Sequence, residues 1–381
     1  MADGDVFEIY PAVYEGEAQQ IYLGENVKND ADYTAGIHYR PRNITIRGVT
    51  VDGRRPVIRN PATGASNATL GQALVYIADA ENITIENLDI ADSPTGGGVG
   101  KAGMYVNGAK NLTLRNVRVS GFKLHGQNGI FGTSGNTGTF LMQNVELADN
   151  GGNNGPEHNI YMNASATDPQ FTVKMQGSWS HGAYYGHLFK SRAQVNVLEG
   201  NYFQGSRSTG SVQTENYLVD IPEGGTLTAR NNVFAKGFSG DSSNGAAITF
   251  AVESGSAGRP FDTARPWGLT VEHNTFVAFS KTYDSQGHPL YPFFLNASAP
   301  LPGGGKVIER NVFVGYCPST SQVAAGYYGG GHSVLNFNDI DLAFRPRAPM
   351  AAAGSTVVGK PAYAHQLRTS TRATAAMGAV D

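Results

Sequence analysis

One stretch of the sequence concentrates side chains that can transfer protons or bind anions. Residues 157–193 begin with EHNIYM and end with SHGAYYGHLFKSRA, so that histidines, tyrosines, a lysine and an arginine lie close together in a chain otherwise rich in glycine, asparagine, threonine and small apolar residues. Imidazole and phenol groups serve in general acid–base catalysis, and a guanidinium matches the geometry of a carboxylate. The stretch is therefore the candidate functional region.

The candidate region lies within a series of repeats. A short alternating strand followed by asparagine and more apolar residues recurs, for example as NITIENLDI (82–90), NLTLRNVRV (111–119) and TLTARNNVF (226–234). The repeated asparagines are Asn87, Asn116, Asn144, Asn201, Asn232, Asn274 and Asn311. A second set of strands, such as HNIYM (158–162) and YLVDI (217–221), runs in step with the first. Two strand types per roughly 30 residues, separated by Gly, Asn and Ser turns, are typical of a solenoid.

This pattern predicts an all-β, single-domain, right-handed parallel β-helix of about 9–10 coils. We expect residues 1–317 to form the β-helix, with an N-terminal cap region and protruding loops, and residues 318–381 to form a C-terminal tail or cap packed on it. No apolar spacing of about 3.6 residues is sustained, which argues against a helical protein. A β-sandwich would not explain one asparagine per coil.

Bulk composition excludes several functions. The formal net charge is −3 and only 15% of residues are charged, so no global field favours nucleic acid or a membrane surface. No apolar run of about 18 residues is present, and no membrane span is expected. The single cysteine, Cys317, rules out an internal disulfide. We expect a monomer that is secreted or periplasmic, its export signal removed before the sequence begins.

Strand alternation predicts which side chains share the outer wall. Aligning the second strands places one residue from each coil in an outward ladder: Tyr105, Phe131, Tyr161, Lys190, Asp220 and Thr249. Adjacent coils stack about 4.8 Å apart, so Tyr161, Lys190 and Asp220 should be direct neighbours. Arg192, two residues after Lys190, should point the same way. Aromatic rings leading to a cationic centre suit a chain of sugars.

Simpler interpretations remain open for the same residues. Lys190 and Asp220 would also be explained as a surface ion pair, and His158 and His187 as turn caps or stacked rings. A transition-metal site would use the histidines with Glu157, but no tight ligand spacing is present. Calcium would need clustered carboxylates, for which Glu157, Asp220 and Glu223 are the candidates. No metal is therefore assigned, and calcium is the one cofactor kept open.

The motifs resemble those of a known group. His158–Tyr161 (HNIY), Ser178–Ala193 (ending GHLFKSRA) and Tyr217–Gly225 (YLVDIPEGG) are similar to segments of bacterial secreted β-helix proteins in the pectate-lyase-like superfamily. The resemblance implies a parallel β-helix and, most often in that superfamily, polysaccharide lyase activity. In its alginate- and chondroitin-cleaving members a lysine acts as base and an arginine as acid, which points to Lys190 and Arg192.

We therefore predict a polysaccharide lyase that cleaves an anionic, uronic-acid-containing polysaccharide by β-elimination. Lys190 would remove the C5 proton, Arg192 would neutralise the carboxylate and Tyr161 would protonate the leaving oxygen, with His187 as a rival acid or base. Candidate substrate-binding residues are His158, His181, Asp220, Asn159, Tyr105, Phe131 and Arg207. The alternatives are a glycoside hydrolase that uses Asp220 with Glu157 or Glu223, a non-catalytic glycan-binding β-helix, and a C5-epimerase, which shares the lyase's chemistry.

Overall fold

The structure is a computed structural model that describes most of the chain up to residue 314. The described residues are 2–15, 20–24, 40–60, 73–93, 102–123, 127–152, 156–164, 171–205, 215–237, 246–254, 261–278, 282–283, 289–290, 294–297, 305–314 and 333–335. All regular structure in these ranges is β-strand.

Three parallel sheets, here named A, B and C, run along the molecule. Sheet A contains β1 (Val6–Ile9), β4 (Thr45–Gly48), β7 (Glu81–Glu86), β10 (Lys110–Arg115), β13 (Thr137–Gln143), β16 (Thr172–Gln176), β19 (Val195–Glu199), β22 (Thr226–Arg230), β25 (Gly268–Glu272) and β30 (Gly305–Glu309). Sheet B contains β2 (Val13–Glu15), β5 (Val57–Arg59), β8 (Asp89–Ala91), β11 (Arg118–Ser120), β14 (Glu146–Ala148), β17 (Trp179–His181), β20 (Tyr202–Gln204), β23 (Val233–Lys236), β26 (Thr275–Ala278), β31 (Val312–Val314) and β32 (Ser333–Leu335). Sheet C contains β3 (Ile21–Leu23), β6 (Ala73–Ala78), β9 (Ala102–Asn107), β12 (Asn128–Gly132), β15 (Ile160–Met162), β18 (Phe189–Ser191), β21 (Val219–Ile221), β24 (Ile248–Phe250) and β29 (Leu295–Ala297). A separate antiparallel pair joins β27 (Thr282–Tyr283) to β28 (Pro289–Leu290).

Among the described residues, nine successive coils each contribute one strand to each sheet in the order A, B, C, and β30, β31 and β32 extend sheets A and B. Every strand then pairs in parallel with its equivalents in the coils before and after it, as β15 does with β12 and β18. This topology is a parallel β-helix, and the predicted fold class is confirmed. The right-handed winding follows the general preference of parallel crossovers and stays a prediction.

The coil has three strands where the sequence pattern predicted two. The predicted strand 82–90 is broken at Asn87, which adopts a left-handed backbone conformation with φ 58°. The break sends β7 into sheet A and β8 into sheet B. Asparagine is tolerated in this conformation because its short polar side chain bonds locally.

The repeated asparagines form two columns, not one. Asn87, Asn116 and Asn144 occupy the left-handed corner itself, with φ between 51° and 58°. Asn201, Asn232, Asn274 and Asn311 lie one residue further on and are completely buried. Each side-chain amide of this second column donates to the next, as Asn232 Nδ2 does to Asn274 Oδ1 at 3.0 Å. The corner residue before Asn232 is Asn231, with φ 56°.

The core fills the inside of the coil. Inward side chains of the three sheets are almost wholly aliphatic or aromatic and are inaccessible to solvent. Under sheet B, Phe203, Phe234 and Phe276 stack with ring centroids 5.2 and 4.9 Å apart. Each fully buried phenylalanine contributes about 1.5–3 kcal/mol relative to an exposed one. This continuous core holds the outer walls in a fixed register.

Two expectations concern the ends of the chain and the membrane. Within the predicted tail 318–381, Ser333–Leu335 pairs in parallel with β31, and the remaining residues lie outside the described part. The predicted boundary at residue 317 therefore stays a prediction. Among the described residues, none belongs to a helix long and apolar enough to cross a membrane.

Candidate functional site

The outward ladder of sheet C is placed as the sequence predicted. Phe131 pairs with Tyr105 and Tyr161, Tyr161 with Lys190, Lys190 with Asp220, and Asp220 with Thr249. The ladder results from two-residue alternation on strands whose inward neighbours are buried. Tyr161, Lys190 and Asp220 thus stand side by side on three successive coils.

The aromatic part of the ladder is longer than expected, and each of its rings contacts the next. Tyr22 and Tyr76 extend it, and successive ring centroids from Tyr22 to Tyr161 lie 5.2–5.5 Å apart. That spacing leaves no room for a sugar between two rings. Tyr105 and Phe131 therefore each have an aromatic neighbour on both sides, and the contact of these rings with sugars stays a prediction. Burial, and secondarily Tyr76, raises the pKa of Tyr105.

Lys190 belongs to a compact network centred on Asp220. Lys190 Nζ donates to Asp220 Oδ2 at 2.8 Å, and the other carboxylate oxygen accepts from Thr249 Oγ1 at 2.5 Å. His187 Nε2 lies 3.3 Å from Asp220 Oδ2. Asp220 is 2% exposed, and the Lys190 side chain is 12% exposed. The Lys190 side chain thus keeps a small exposed fraction while its counter-ion is buried.

Arg192 connects the aromatic ladder to a pair of carboxylates. Its Nε donates to the Tyr161 hydroxyl oxygen at 2.9 Å, and its two terminal nitrogens contact Glu223 Oε1 at 2.6 Å and Glu253 Oε2 at 2.9 Å. Burial acts to lower the pKa of Arg192, but hydrogen bonds to Tyr161 and Glu253 outweigh it and raise that pKa above its ordinary value. The guanidinium is therefore a permanent cation aligned by three partners.

His158 and His187 form a buried column at the start of the sheet C strands. The amide of His158 donates to Asn128 Oδ1 at 2.7 Å, that of His187 to His158 Nδ1 at 2.9 Å, and that of Tyr217 to His187 Nδ1 at 3.1 Å. The two imidazoles stack 4.5 Å apart. Each Nδ1 accepts a hydrogen bond from a backbone amide, so each ring is a neutral Nε2–H tautomer. The predicted alternative of turn caps and stacked rings is thus the observed arrangement for both.

The environment keeps both imidazoles uncharged. Burial is the largest cause, and it lowers the pKa of His158 and of His187 well below the ordinary value. The positive charge of Lys190 acts in the same direction on both rings, and His187 adds to the effect on His158. At neutral pH neither histidine carries a charge that would bind an anion.

Gly186 allows the column to close. A Cβ at this position would lie 1.7 Å from the carbonyl oxygen of Glu157 and 2.6 Å from His158 Nδ1. Both distances are far below van der Waals contact, so only glycine lets the strand approach His158. Close packing against His158 therefore explains why glycine precedes His187 in the segment GHLFKSRA.

Two predicted residues are not brought to this wall, and a third cannot be placed. His181 lies on β17 of sheet B, where its Nε2 is 3.0 Å from Glu146 Oε1, so it does not share the site with Lys190. Asn159 is fully buried and donates to Ser180 Oγ and the His181 carbonyl at 2.9 Å each, as a structural corner residue. Arg207 lies outside the described residues.

The candidate carboxylates do not form a metal cage. Asp220 and Glu223 are each paired with cations, and Glu157 is buried. Across the described part of the chain, no three His, Cys, Asp or Glu side chains are grouped so as to hold a metal ion. Calcium therefore stays an untested prediction and no chemical step is assigned to it.

Two charged residues at the site, Glu253 and Arg265, were not predicted from the sequence. Glu253 contacts Arg192 and lies 3.8 Å from Lys190 Nζ. Arg265 NH2 donates to Glu223 Oε2 at 2.6 Å and its NH1 to the carbonyl of Arg192 at 3.1 Å. Both come from segments where the repeat spacing is irregular, so no register placed them. The one available signal was the 42-residue distance between Asn232 and Asn274, which marks extra length beside the wall.

Comparison with known proteins adds little to this geometry. No protein-family model and no curated protein matches the chain. Solved structures that it resembles include a PL6 family polysaccharide lyase from Pseudopedobacter saltans, with 14% identity, a TM-score of 0.34, and coverage of 94% of this chain and 95% of that one. Another is the A-module of a mannuronan C-5 epimerase from Azotobacter vinelandii, with 15% identity, a TM-score of 0.26, and coverage of 81% and 91%. The assignment as a parallel β-helix rests on the three sheets themselves.

Proposed function

We propose that this protein is a carbohydrate-active enzyme that cleaves a uronic-acid-containing polysaccharide by β-elimination. The observation that carries the proposal is the contiguous outer-wall group in which Arg192 donates to the Tyr161 hydroxyl, beside the Lys190–Asp220 ion pair. These residues supply a cation for a substrate carboxylate and two groups able to exchange protons.

Arg192 is the proposed carboxylate-binding group. Its fork of donors suits a bidentate contact, but both terminal nitrogens already face carboxylates. The two carboxylate side chains are similarly exposed, 35% for Glu223 and 31% for Glu253, but Glu223 is also held by Arg265 at 2.6 Å. A uronate would therefore replace Glu253 at the guanidinium more readily than Glu223.

The two proton transfers are proposed to have roles opposite to those predicted from the sequence. Lys190 is the cation of an ion pair with Asp220, and an ammonium group has no lone pair to accept the C5 proton. We assign proton abstraction to the Tyr161 oxygen, which Arg192 polarises, and proton donation to Lys190. Tyr161 reacts as the phenolate, whose oxygen accepts from Arg192 Nε. The C5 proton passes to this oxygen to give the phenol, the C4–O4 bond breaks as the C4–C5 double bond forms, and the Lys190 ammonium protonates O4 and becomes the amine.

Neither histidine suits a direct role in this reaction. Nδ1 of His158 and of His187 accepts a backbone amide, and Nε2 of His187 faces Asp220. Through Asp220, His187 acts instead as a positioning residue for Lys190. The predicted catalytic assignment of His187 and the predicted substrate contact of His158 thus become structural roles in the proposed mechanism.

The test is a panel of acidic polysaccharides monitored for the ultraviolet absorbance of the new C=C bond. We expect absorbance with at least one uronate polymer, abolished in Lys190→Ala and in Tyr161→Phe. A uronide with an aryl leaving group at O4 needs no acid, so it should restore turnover in Lys190→Ala but not in Tyr161→Phe. Full activity of Lys190→Ala on the natural polymer would remove Lys190 from the mechanism.

Glycoside hydrolysis is the second candidate, because Glu223 and Glu253 are two partly exposed carboxylates on one guanidinium. A hydrolase would produce new reducing ends without absorbance, and an epimerase would change the uronate stereochemistry without cleavage. Binding with no product would favour a non-catalytic glycan-binding role. The same panel separates all four outcomes.

A further inference from the structure

A cavity of about 420 Å³ opens on sheet B, on a different wall from the ladder of sheet C. Its volume falls in the range of about 300–1,000 Å³ typical of small-molecule sites. Pro11, Ala12, Val13 and Val57 give it an apolar side, and Gly53 and the following arginines close one edge. Part of its floor is a column of paired positions on successive strands, Val57, Asp89, Arg118 and Glu146.

The charged lining has one more cation than anions. Arg54, Arg55 and Arg118 line the cavity together with Asp89 and Glu146. Arg55 is buried and paired with Asp89, and Arg118 Nε lies 3.3 Å from Glu146 Oε2. Arg54 is exposed, and among the described residues it forms no ion pair. Within the described part of the chain, a ligand entering the cavity therefore meets the guanidinium of Arg54 without a paired carboxylate, beside the ion pairs Arg55–Asp89 and Arg118–Glu146.

We propose that this cavity is a second, non-catalytic binding site for an acidic saccharide unit. Arg54 and the 32%-exposed side chain of Arg118 would bind the carboxylate, while the apolar side would receive the sugar's C–H face. The choice of a sugar acid as ligand rests on the proposed function, whereas the cation excess and the cavity do not. Such a site would hold a polyuronate on a wall separate from the reacting group.

A spectroscopic reporter is connected to this cavity. Glu146 Oε1 lies 3.0 Å from His181 Nε2, and the His181 ring stacks on Trp179 with centroids 3.8 Å apart. A ligand that draws Arg118 away from Glu146 would therefore alter the surroundings of Trp179. The sequence holds only two tryptophans, so Trp267→Phe leaves Trp179 as the single emitter.

In the experiment, the double variant Lys190→Ala/Trp267→Phe is titrated with trimers of galacturonate, mannuronate and guluronate. Binding is measured by calorimetry and by the fluorescence emission of Trp179. Lys190→Ala prevents turnover and lies on the other wall. We expect saturable binding of one trimer with a change in Trp179 emission, and no binding of the neutral trisaccharide maltotriose. Arg54→Ala should weaken binding by about tenfold or more, as for the loss of one charged hydrogen bond.

Arg47→Ala is the matched control, because Arg47 is an exposed arginine on sheet A paired with Glu86. It should leave the affinity unchanged. An affinity read from Trp179 emission that is insensitive to Arg54→Ala, binding that leaves Trp179 emission unchanged, or the absence of binding would each overturn the second site. Lyase inactivity of the native protein combined with Arg54-dependent binding would instead refute the proposed function and leave the second site standing.

Discussion

At the scale of single residues, the charged groups of the candidate site are mutually neutralised. Lys190, Arg192 and Arg265 face Asp220, Glu223 and Glu253 at distances of 2.6–3.8 Å. A substrate carboxylate that binds Arg192 therefore meets two carboxylates already paired with it, and we expect it to displace one of them. Glu223 and Glu253 therefore influence the affinity for the substrate, whereas Tyr161 and Lys190 are the residues proposed to transfer protons.

Tyr161→Phe tests the proton-transfer role. The variant keeps the ring in the ladder but removes the oxygen that accepts from Arg192 Nε. Because general acid–base groups contribute about 10²–10⁴-fold, we expect kcat to fall by about a hundredfold or more with KM little changed. Tyr105→Phe removes a hydroxyl from the same ladder away from Arg192 and should keep near-native kcat. Equal losses in both variants would point to a general role of the ladder.

Glu253→Gln tests the exchange at Arg192. Removing the charge that competes with a uronate carboxylate should lower KM by about three- to tenfold, as expected for one partly screened charge interaction. Glu309 has a similarly exposed side chain, 33% against 31%, but lies on sheet A. Glu309→Gln should leave KM unchanged. A rise in KM for Glu253→Gln would show that this carboxylate helps to bind the substrate.

Sequence reasoning placed the ladder but not its surroundings. Alternation alone fixes which side a strand residue faces, which is why Tyr161, Lys190 and Asp220 were predicted as neighbours. Glu253 and Arg265 lie in turns and loops, where no periodicity relates sequence distance to position. His181 was misplaced because the pattern did not reveal that each coil has a third strand, on a separate wall.

At the scale of elements, the column of Asn128, His158, His187 and Tyr217 joins four coils at the edge of the site. Each acceptor side chain receives the amide of the next coil, at 2.7–3.1 Å. Asn128 shows that an amide oxygen serves as well as an imidazole nitrogen. The column is therefore a hydrogen-bonded support that requires acceptors, and protonation of its histidines would remove them.

The column predicts a loss of stability in mild acid. The folded pKa of each histidine lies well below the unfolded value of 6.5, so the unfolded state binds protons first as pH falls. Stability should be complete above about pH 6.5 and should decrease below it, by up to about 1.4 kcal/mol per pH unit for each histidine, until the folded pKa is reached. Urea unfolding at pH 7.5 and pH 5.0 measures the loss.

His158→Asn provides the matched variant for that measurement. It keeps an acceptor for the His187 amide but removes one titrating group, so the difference in unfolding free energy between the two pH values should shrink. His273→Asn serves as the control, since His273 lies at a sheet A corner outside the column. An unchanged pH dependence in His158→Asn would mean that the acid sensitivity arises elsewhere.

Gly186→Ala tests the close approach beneath the column. The added Cβ would meet the Glu157 carbonyl, a backbone atom that moves only with its strand. We expect destabilisation by about 1–3 kcal/mol, as for overpacking, and a loss of turnover through displacement of His187 and Asp220. Gly268→Ala is the control, because its Cβ would meet only ordinary contacts at 3.6–3.8 Å. Thermal unfolding of both variants distinguishes steric strain from a general loss of glycine.

The asparagine repeat shows how far element-level prediction extends. Its period revealed the coil, because each turn needs a residue that tolerates a left-handed corner or satisfies the buried backbone there. It did not reveal that Asn116 occupies the left-handed corner whereas Asn232 lies one residue after it. Corner positions accept Asn, Gly, His and Arg alike, so the sequence does not show this one-residue offset. Only the paired register separates the two columns.

At the scale of the whole molecule, the charge balance opposes the proposed substrate. The formal net charge is −3, and the site contributes equal numbers of paired cations and anions. A polyanion therefore approaches a surface of the same sign. Its binding must come from short-range contacts at Arg192 and, in the proposed second site, at Arg54, with no help from long-range attraction.

This balance predicts an unusual salt dependence. Screening shortens the range of repulsion from about 30 Å at 0.01 M salt to about 8 Å at 0.15 M, so KM for a long polyuronate should fall by about two- to fivefold over that interval. A uronate trimer carries few charges beyond the site, and its KM should change less. Steady-state kinetics on both substrates measure the difference. A KM for the polymer that rises with salt would contradict this expectation and would mean that attraction by a local cationic surface outweighs the net negative charge.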